Sequence, residues 1–139
     1  MIYLVSIRDR KRNEDGTWYH KESPTARIFT VQRPFIHMSI GPFIAKEPKE
    51  KSDQGIKAYR KWLFNQLLKF HPAIEEFTEM LDVLIQEGEI ILQCSCAVGK
   101  PCHGNVIKDA LTWAEPFGIE GWHSALQSIS SHKQANVPN

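Results

Sequence analysis

All three cysteines of the chain, together with one of its six histidines, fall inside Gln93–Val106, which reads QCSCAVGKPCHGNV. Thiolates and imidazoles are the side chains best suited to bind soft metal ions, to attack electrophilic carbon or phosphorus, and to move protons. Cys94, Cys96, Cys102 and His103 make a complete Cys₃His zinc set by residue type. Their spacing counts against it, because structural sites pair their ligands as C-x₂₋₄-C, whereas here Cys94-x-Cys96 is tight and Cys102 and His103 are adjacent. The competing chemistry makes Cys102 a thiolate favoured by a helix N-terminus and by Lys100, with His103 bonding a ligand or an acidic partner. A third reading assigns no chemistry to Cys94 and Cys96 and treats them as small buried hydrophobes.

Those alternatives depend on what holds the segment. Glu89–Cys96 is an apolar run fit for a central strand, in which Cys94 and Cys96 share one face and Gln93 and Ser95 the other. Val106, Ile107, Ala110, Leu111 and Ala114 then outline an amphipathic helix, so Cys102-His103-Gly104-Asn105 falls at its start. Free N–H groups there attract anions. Gly104 leaves backbone accessible and Asn105 is able to cap.

Upstream, Ile2–Ile7 predicts a first strand, Asp15-Gly16 a type I′ hairpin turn, Thr17–His20 its partner strand, and Arg27–Val31 a third strand. Residues 33–51, with Pro34, Pro42, Pro48 and Gly41, read as a long loop, either functional or a surface excursion. Ser52 predicts an N-cap for a helix with Ile56, Tyr59, Leu63, Leu67 and Phe70 on one face, widened by Trp62, Phe64 and Leu68. His71-Pro72 opens a second helix with Ile74, Phe77, Leu81, Leu84 and Ile85 toward the core, closed by Gly88. Residues 118–127 predict one short further helix, and 128–139 a polar tail.

The order β-β-β-loop-α-α-β-α predicts a single α/β domain over residues 1–127. It would hold a small mixed sheet with an N-terminal β-hairpin, packed helices and a Rossmann-like helix-strand-helix core over 72–113. At 139 residues, one domain of this size needs no disulfide staple.

Lys and Arg number 17 against 16 Asp and Glu, so the charge balance gives no default phosphate-backbone binder. The charges are nevertheless segregated. Residues 1–33 carry seven basic and four acidic side chains, and residues 72–90 carry six acidic and none basic. No stretch reaches the roughly 18 apolar residues of a membrane span, and the apolar start lacks the flanks of a secretory signal. An odd cysteine count in one loop is no disulfide framework, and the expectation is a soluble protein of the reducing cytoplasm.

Residues 92–111, LQCSCAVGKPCHGNVIKDAL, resemble the closing motif of the uncharacterised family called domain of unknown function 4326, approximately L-x-C-W-C-x-P-x-x-C-H-G-D-V-L-A-x-x-L. Tyr59–Leu63, YRKWL, matches that family's Y-x-x-W-L helix, and Ser39–Phe43, SIGPF, is a degenerate form of its W-G-N-P-F segment. The resemblance covers about residues 39–113. A more distant family, domain of unknown function 488, is similar in its C-x-E…C-H-R ending, with glutamate at the place of Cys96. That comparison weakens an obligatory zinc site and leaves Cys102-His103 as the common element. The chain departs from the first family at Ser95, where the family has Trp, at Asn105, where it has Asp, and at Gly41-Pro42, which lacks the preceding Trp and the Asn. The resemblance implies a fold and a site but no reaction.

Three functional expectations follow. The first is a binding site for a small nucleotide-like or phosphorylated ligand, with or without thiol or histidine chemistry at Cys102 and His103. Lys100, Gly104 and Asn105 would hold the anion, and Gly41, Phe43, Tyr59 and Trp62 would form the ring-binding side. Tyr59 and Trp62 equally suit a core, given their helical spacing. The second is a non-catalytic viral or mobile-element factor that binds a host protein or sequesters a small molecule. The third is a zinc-containing nucleic-acid accessory module. The first expectation requires no cofactor, and none of the three involves a membrane; the oligomeric state is open in all of them.

Overall fold

The computed structural model describes residues 1–30, 53–94 and 103–136. Three strands, β1 (Ile2–Ser6), β5 (Ile90–Cys94) and β4 (Ile28–Thr30), form a sheet in the order β1-β5-β4. Both pairings are parallel, with Ile2 opposite Ile90, Leu4 opposite Leu92, and Phe29 also opposite Leu92. The central strand carries Ile90, Ile91 and Leu92 without exposed surface. A continuous apolar run is what a strand covered on both faces requires.

The expected mixed sheet is therefore a parallel one, and the hairpin stands outside it. Strands β2 (Lys11–Arg12) and β3 (Trp18–Tyr19) make a separate two-stranded antiparallel ladder. Its turn is not type I′, since Asp15 does not take a positive φ and only Gly16 does, at 90°. Asn13 N–H donates to Thr17 O at 2.8 Å and Gly16 N–H to Asn13 O at 3.0 Å. This is the pattern of a three-residue loop that ends on a left-handed glycine.

Four helices complete the described chain: α1 (Asp53–Lys69), α2 (His71–Glu87), α3 (His103–Ala114) and α4 (Gly118–Asn136). Phe70 separates α1 from α2 in an extended conformation, with Pro72 in the first turn, where a missing N–H costs nothing. Gly88 closes α2 at φ 79°, and its N–H donates to Leu84 O. Helices α2 and α3 lie on the face of the sheet that bears Ile2, Leu4, Ile90 and Leu92, and one apolar cluster joins that face to all four helices. Phe77, Met80, Leu81, Leu84, Ile107, Leu111 and Trp122 are fully buried within it.

Several sequence expectations shift in detail. Phe70 and Ile85, assigned to the core, are each 38 % exposed. Ala73, Met80 and Val83 take the buried positions on α2 instead. The last helix does not stop at Gln127 but continues to Asn136, through most of the expected polar tail. The Ser52 cap and the loop over 33–51 lie outside the described residues. Among the described residues, no helix is long and apolar enough to cross a membrane.

Candidate functional site

Parallel strands bring their carboxyl ends to one edge, and here Ser6 and Cys94 end opposite each other there, with Thr30 opposite Gln93. Strand β5 ends on this edge at Cys94, and the next described element, α3, begins at His103. In open α/β sheets this edge is where ligands bind, because the following helix presents its unpaired N–H groups there.

The expected site residues distribute as follows. The backbone of Cys94 ends β5 and that of His103 begins α3. Gly104 is buried in the first turn of α3, and Asn105 beside it is exposed. Tyr59 belongs to the apolar core at 4 % exposed, and Trp62 packs partly buried against that core. Their rings lie 5.5 Å apart at 37°, so the helical spacing that suggested a ring-binding pair also makes them packing partners. Gly41, Phe43, Cys96, Lys100 and Cys102 lie outside the described residues. Among the described residues no cluster of three His, Cys, Asp or Glu is arranged to hold a metal ion.

One polar pair at this edge has no counterpart in the sequence expectations. His20, directly after β3, is entirely buried, and its Nε2 lies 2.8 Å from Oε1 of Gln93, itself 5 % exposed near the end of β5. A carboxamide oxygen only accepts, so Nε2 carries the hydrogen and the Nδ1 of a neutral ring presents a lone pair. Nδ1 is buried without a hydrogen-bond partner among the described residues. Buried polar atoms are nearly always paired, and an exception points to strain, a bound water or ion, or a chemical role. The lone signal available in sequence was a histidine next to a serine-proline turn, Ser23-Pro24. Ser23, also buried, donates its N–H to the carbonyl of His20 at 3.2 Å and so fixes the backbone on which the imidazole stands.

The model of the family described as Domain of unknown function (DUF4326) matches residues 11–117. No curated protein and no solved structure matches the chain.

Proposed function

The chain belongs to the DUF4326 family, and from that premise we propose that it is a small-ligand-binding α/β protein for a nucleotide-like or phosphorylated molecule. The reading takes α2-β5-α3 as a Rossmann-like core and places the anion at the first turn of α3. The observation that supports it is the parallel sheet, in which β5 is followed in the chain by a helix that opens on His103-Gly104-Asn105. Backbone N–H groups and the positive end of the helix dipole favour negative charge at such a turn.

In this arrangement Gly104 and Asn105 receive the anion and Lys100 adds a cation. The segment around Gly41 and Phe43 supplies a stacking surface for the rest of the ligand. Where binding is joined to chemistry, Cys102 or His103 is the group that acts on the ligand. The thiolate form of Cys102 is favoured by the same helix end that attracts the anion. Trp62 of α1 completes the ring-binding side in this reading, with Tyr59 packed against it in the core.

The test is a titration of the protein with a mixture of nucleoside phosphates, followed through the backbone amides of Gly104 and Asn105. Saturable shifts at those amides, weakened in Cys102→Ala and His103→Ala, are expected. Unchanged binding in both variants would remove the reading. Stoichiometric zinc in the purified protein, lost together with the fold on chelation, would replace it by a Cys94, Cys96, Cys102 and His103 metal site.

A further inference from the structure

A groove of about 310 Å³ opens between α1, α3 and α4, on the helical side of the molecule. Its floor is Phe77 of α2 against Trp122 of α4, each 1 % exposed, with ring centroids 4.6 Å apart and tilted by 47°. Phe64 of α1 and Trp113 of α3 are partly buried side walls. At the mouth Arg60 Nη2 donates to Asp109 Oδ2 at 3.2 Å.

The helix patterns show why the groove stays open. On α3 the positions facing it are Val106, Asp109, Ala110 and Trp113, a helical i, i+3, i+4, i+7 stripe in which a carboxylate and a methyl stand where large apolar groups would close the seam. On α1 the matching stripe is Arg60, Leu63, Phe64 and Leu67, again with a charge at one end. Sites where the apolar pattern is interrupted on two facing helices at the same place are candidates for function rather than packing.

We propose that this groove is a binding site for a flat ring that carries a hydrogen-bond acceptor and a donor side by side, as in an aromatic carboxamide. The ring fills the space above Phe77 and Trp122 between Phe64 and Trp113, and apolar burial drives it there. The acceptor of its polar edge takes an N–H from Arg60, and the donor gives to Asp109. These two side chains are the matching donor and acceptor, already side by side. Their own ion pair is more than half exposed on both sides, so it contributes little and is readily rearranged around a ligand. The volume sits at the lower end of the roughly 300–1,000 Å³ of small-molecule pockets, which suits one ring system. This site stands apart from the anion reading at the start of α3 and uses none of the residues assigned there.

The experiment is a methyl NMR titration of the full chain with benzamide, and with ethylbenzene as a ring without the polar edge. Benzamide is expected to shift the methyls of Ala110, Leu126 and Ile129 saturably. Arg60→Gln and Asp109→Asn should each weaken it about tenfold, as befits loss of a charge-assisted hydrogen bond. Ala110→Leu should fill the groove and abolish binding while methyl dispersion and thermal midpoint show an intact fold. Equal affinity for ethylbenzene, unchanged affinity in the charge variants, retained binding in Ala110→Leu, or no saturable shift would each overturn the proposal.

Discussion

His20 and Gln93 are 73 positions apart in the chain and 2.8 Å apart in the fold, joined by a buried hydrogen bond from the imidazole Nε2 to the carboxamide Oε1. The bond ties the end of the small β2-β3 ladder to Gln93, the next-to-last residue of strand β5. A buried donor that loses its acceptor costs the full desolvation of the group. Gln93→Leu should therefore destabilise the protein by about 1–3 kcal/mol. His20→Ala, which also opens a cavity, should cost about 2–4 kcal/mol. Chemical denaturation of the two single variants and the double variant checks this. If the double variant costs the plain sum of the singles, the pair is not coupled. Long-range nitrogen spectra of the imidazole should show hydrogen on Nε2 at neutral pH.

Gly88 closes α2, and Gly118 joins a short 3-10 helix, Glu115–Phe117, to α4; both take a positive φ, and they differ in ψ. Gly88 sits at φ 79°, ψ −6°, in the left-handed region, and Gly118 at φ 75°, ψ 175°, which side chains essentially never adopt. A β-carbon at either position would meet no atom within 4 Å, so any cost of substitution is a backbone cost. Gly88→Ala should lose about 1 kcal/mol, and Gly88→Asn less, because asparagine tolerates the left-handed region. Gly118→Ala should lose about 1–3 kcal/mol, with no rescue by asparagine. Thermal unfolding of the four variants separates the cases. Equal rescue by asparagine at both positions would contradict this assignment.

Much of the helical layer was legible because a period of 3.6 is a local property, and Leu63, Leu67, Phe77, Leu81 and Leu84 lie where it puts them. The errors have a geometric cause. On α2 the large apolar residues Ile74, Phe77, Leu81, Leu84 and Ile85 suggest a stripe. The buried arc is instead centred between Phe77 and Met80 and includes the small Ala73. At about 100° per residue this leaves Ile85 roughly 40° beyond Leu81, the edge of that arc. Strand direction was not legible, since an alternating strand looks the same whether its partner runs parallel or antiparallel, and β1 and β5 are far apart in sequence. Serines 128, 130 and 131 weaken the apolar pattern of α4 without stopping it, because extending a nucleated helix adds one hydrogen bond per residue fixed. His20 went unnoticed because a single histidine after a two-residue strand makes no pattern. The strand period puts Gln93 on the face opposite Cys94, and no local pattern points to an imidazole 73 residues away as its partner.

The corrected arc on α2 can be measured. Leu84 is 2 % exposed and its neighbour Ile85 is 38 % exposed, although both are large aliphatic residues on the stripe read from sequence. Leu84→Ala should cost about 2–5 kcal/mol by leaving a cavity that close packing cannot refill. Ile85→Ala should fall within about 1 kcal/mol of the parent, since it removes only partly buried surface. Phe70→Ala belongs with Ile85 and not with Leu84. Midpoints in urea at constant slope would establish the order, and an Ile85→Ala loss as large as that of Leu84→Ala would place Ile85 in the core after all.

The turn of the β2-β3 ladder predicts a pH dependence whose sign is fixed by its hydrogen bonds. Asp15 Oδ1 accepts from the Thr17 hydroxyl at 2.6 Å and from the Thr17 N–H at 3.0 Å. The hydroxyl bond, followed by the amide bond, holds the Asp15 carboxyl below the ordinary 3.8. Both bonds need the ionised acceptor, so the folded turn favours the carboxylate over the acid. Its contribution is complete above the ordinary value and is lost as pH falls through the lower, folded one. Following the Asp15 carboxyl carbon and the Thr17 amide from about pH 6 to about pH 2 should give one shared midpoint below 3.8. Thr17→Val removes the hydroxyl but keeps the amide, so the midpoint should move back toward the ordinary value and stop short of it. A midpoint at or above 3.8 in the parent protein, or no movement in Thr17→Val, would mean that the carboxylate does not hold the turn.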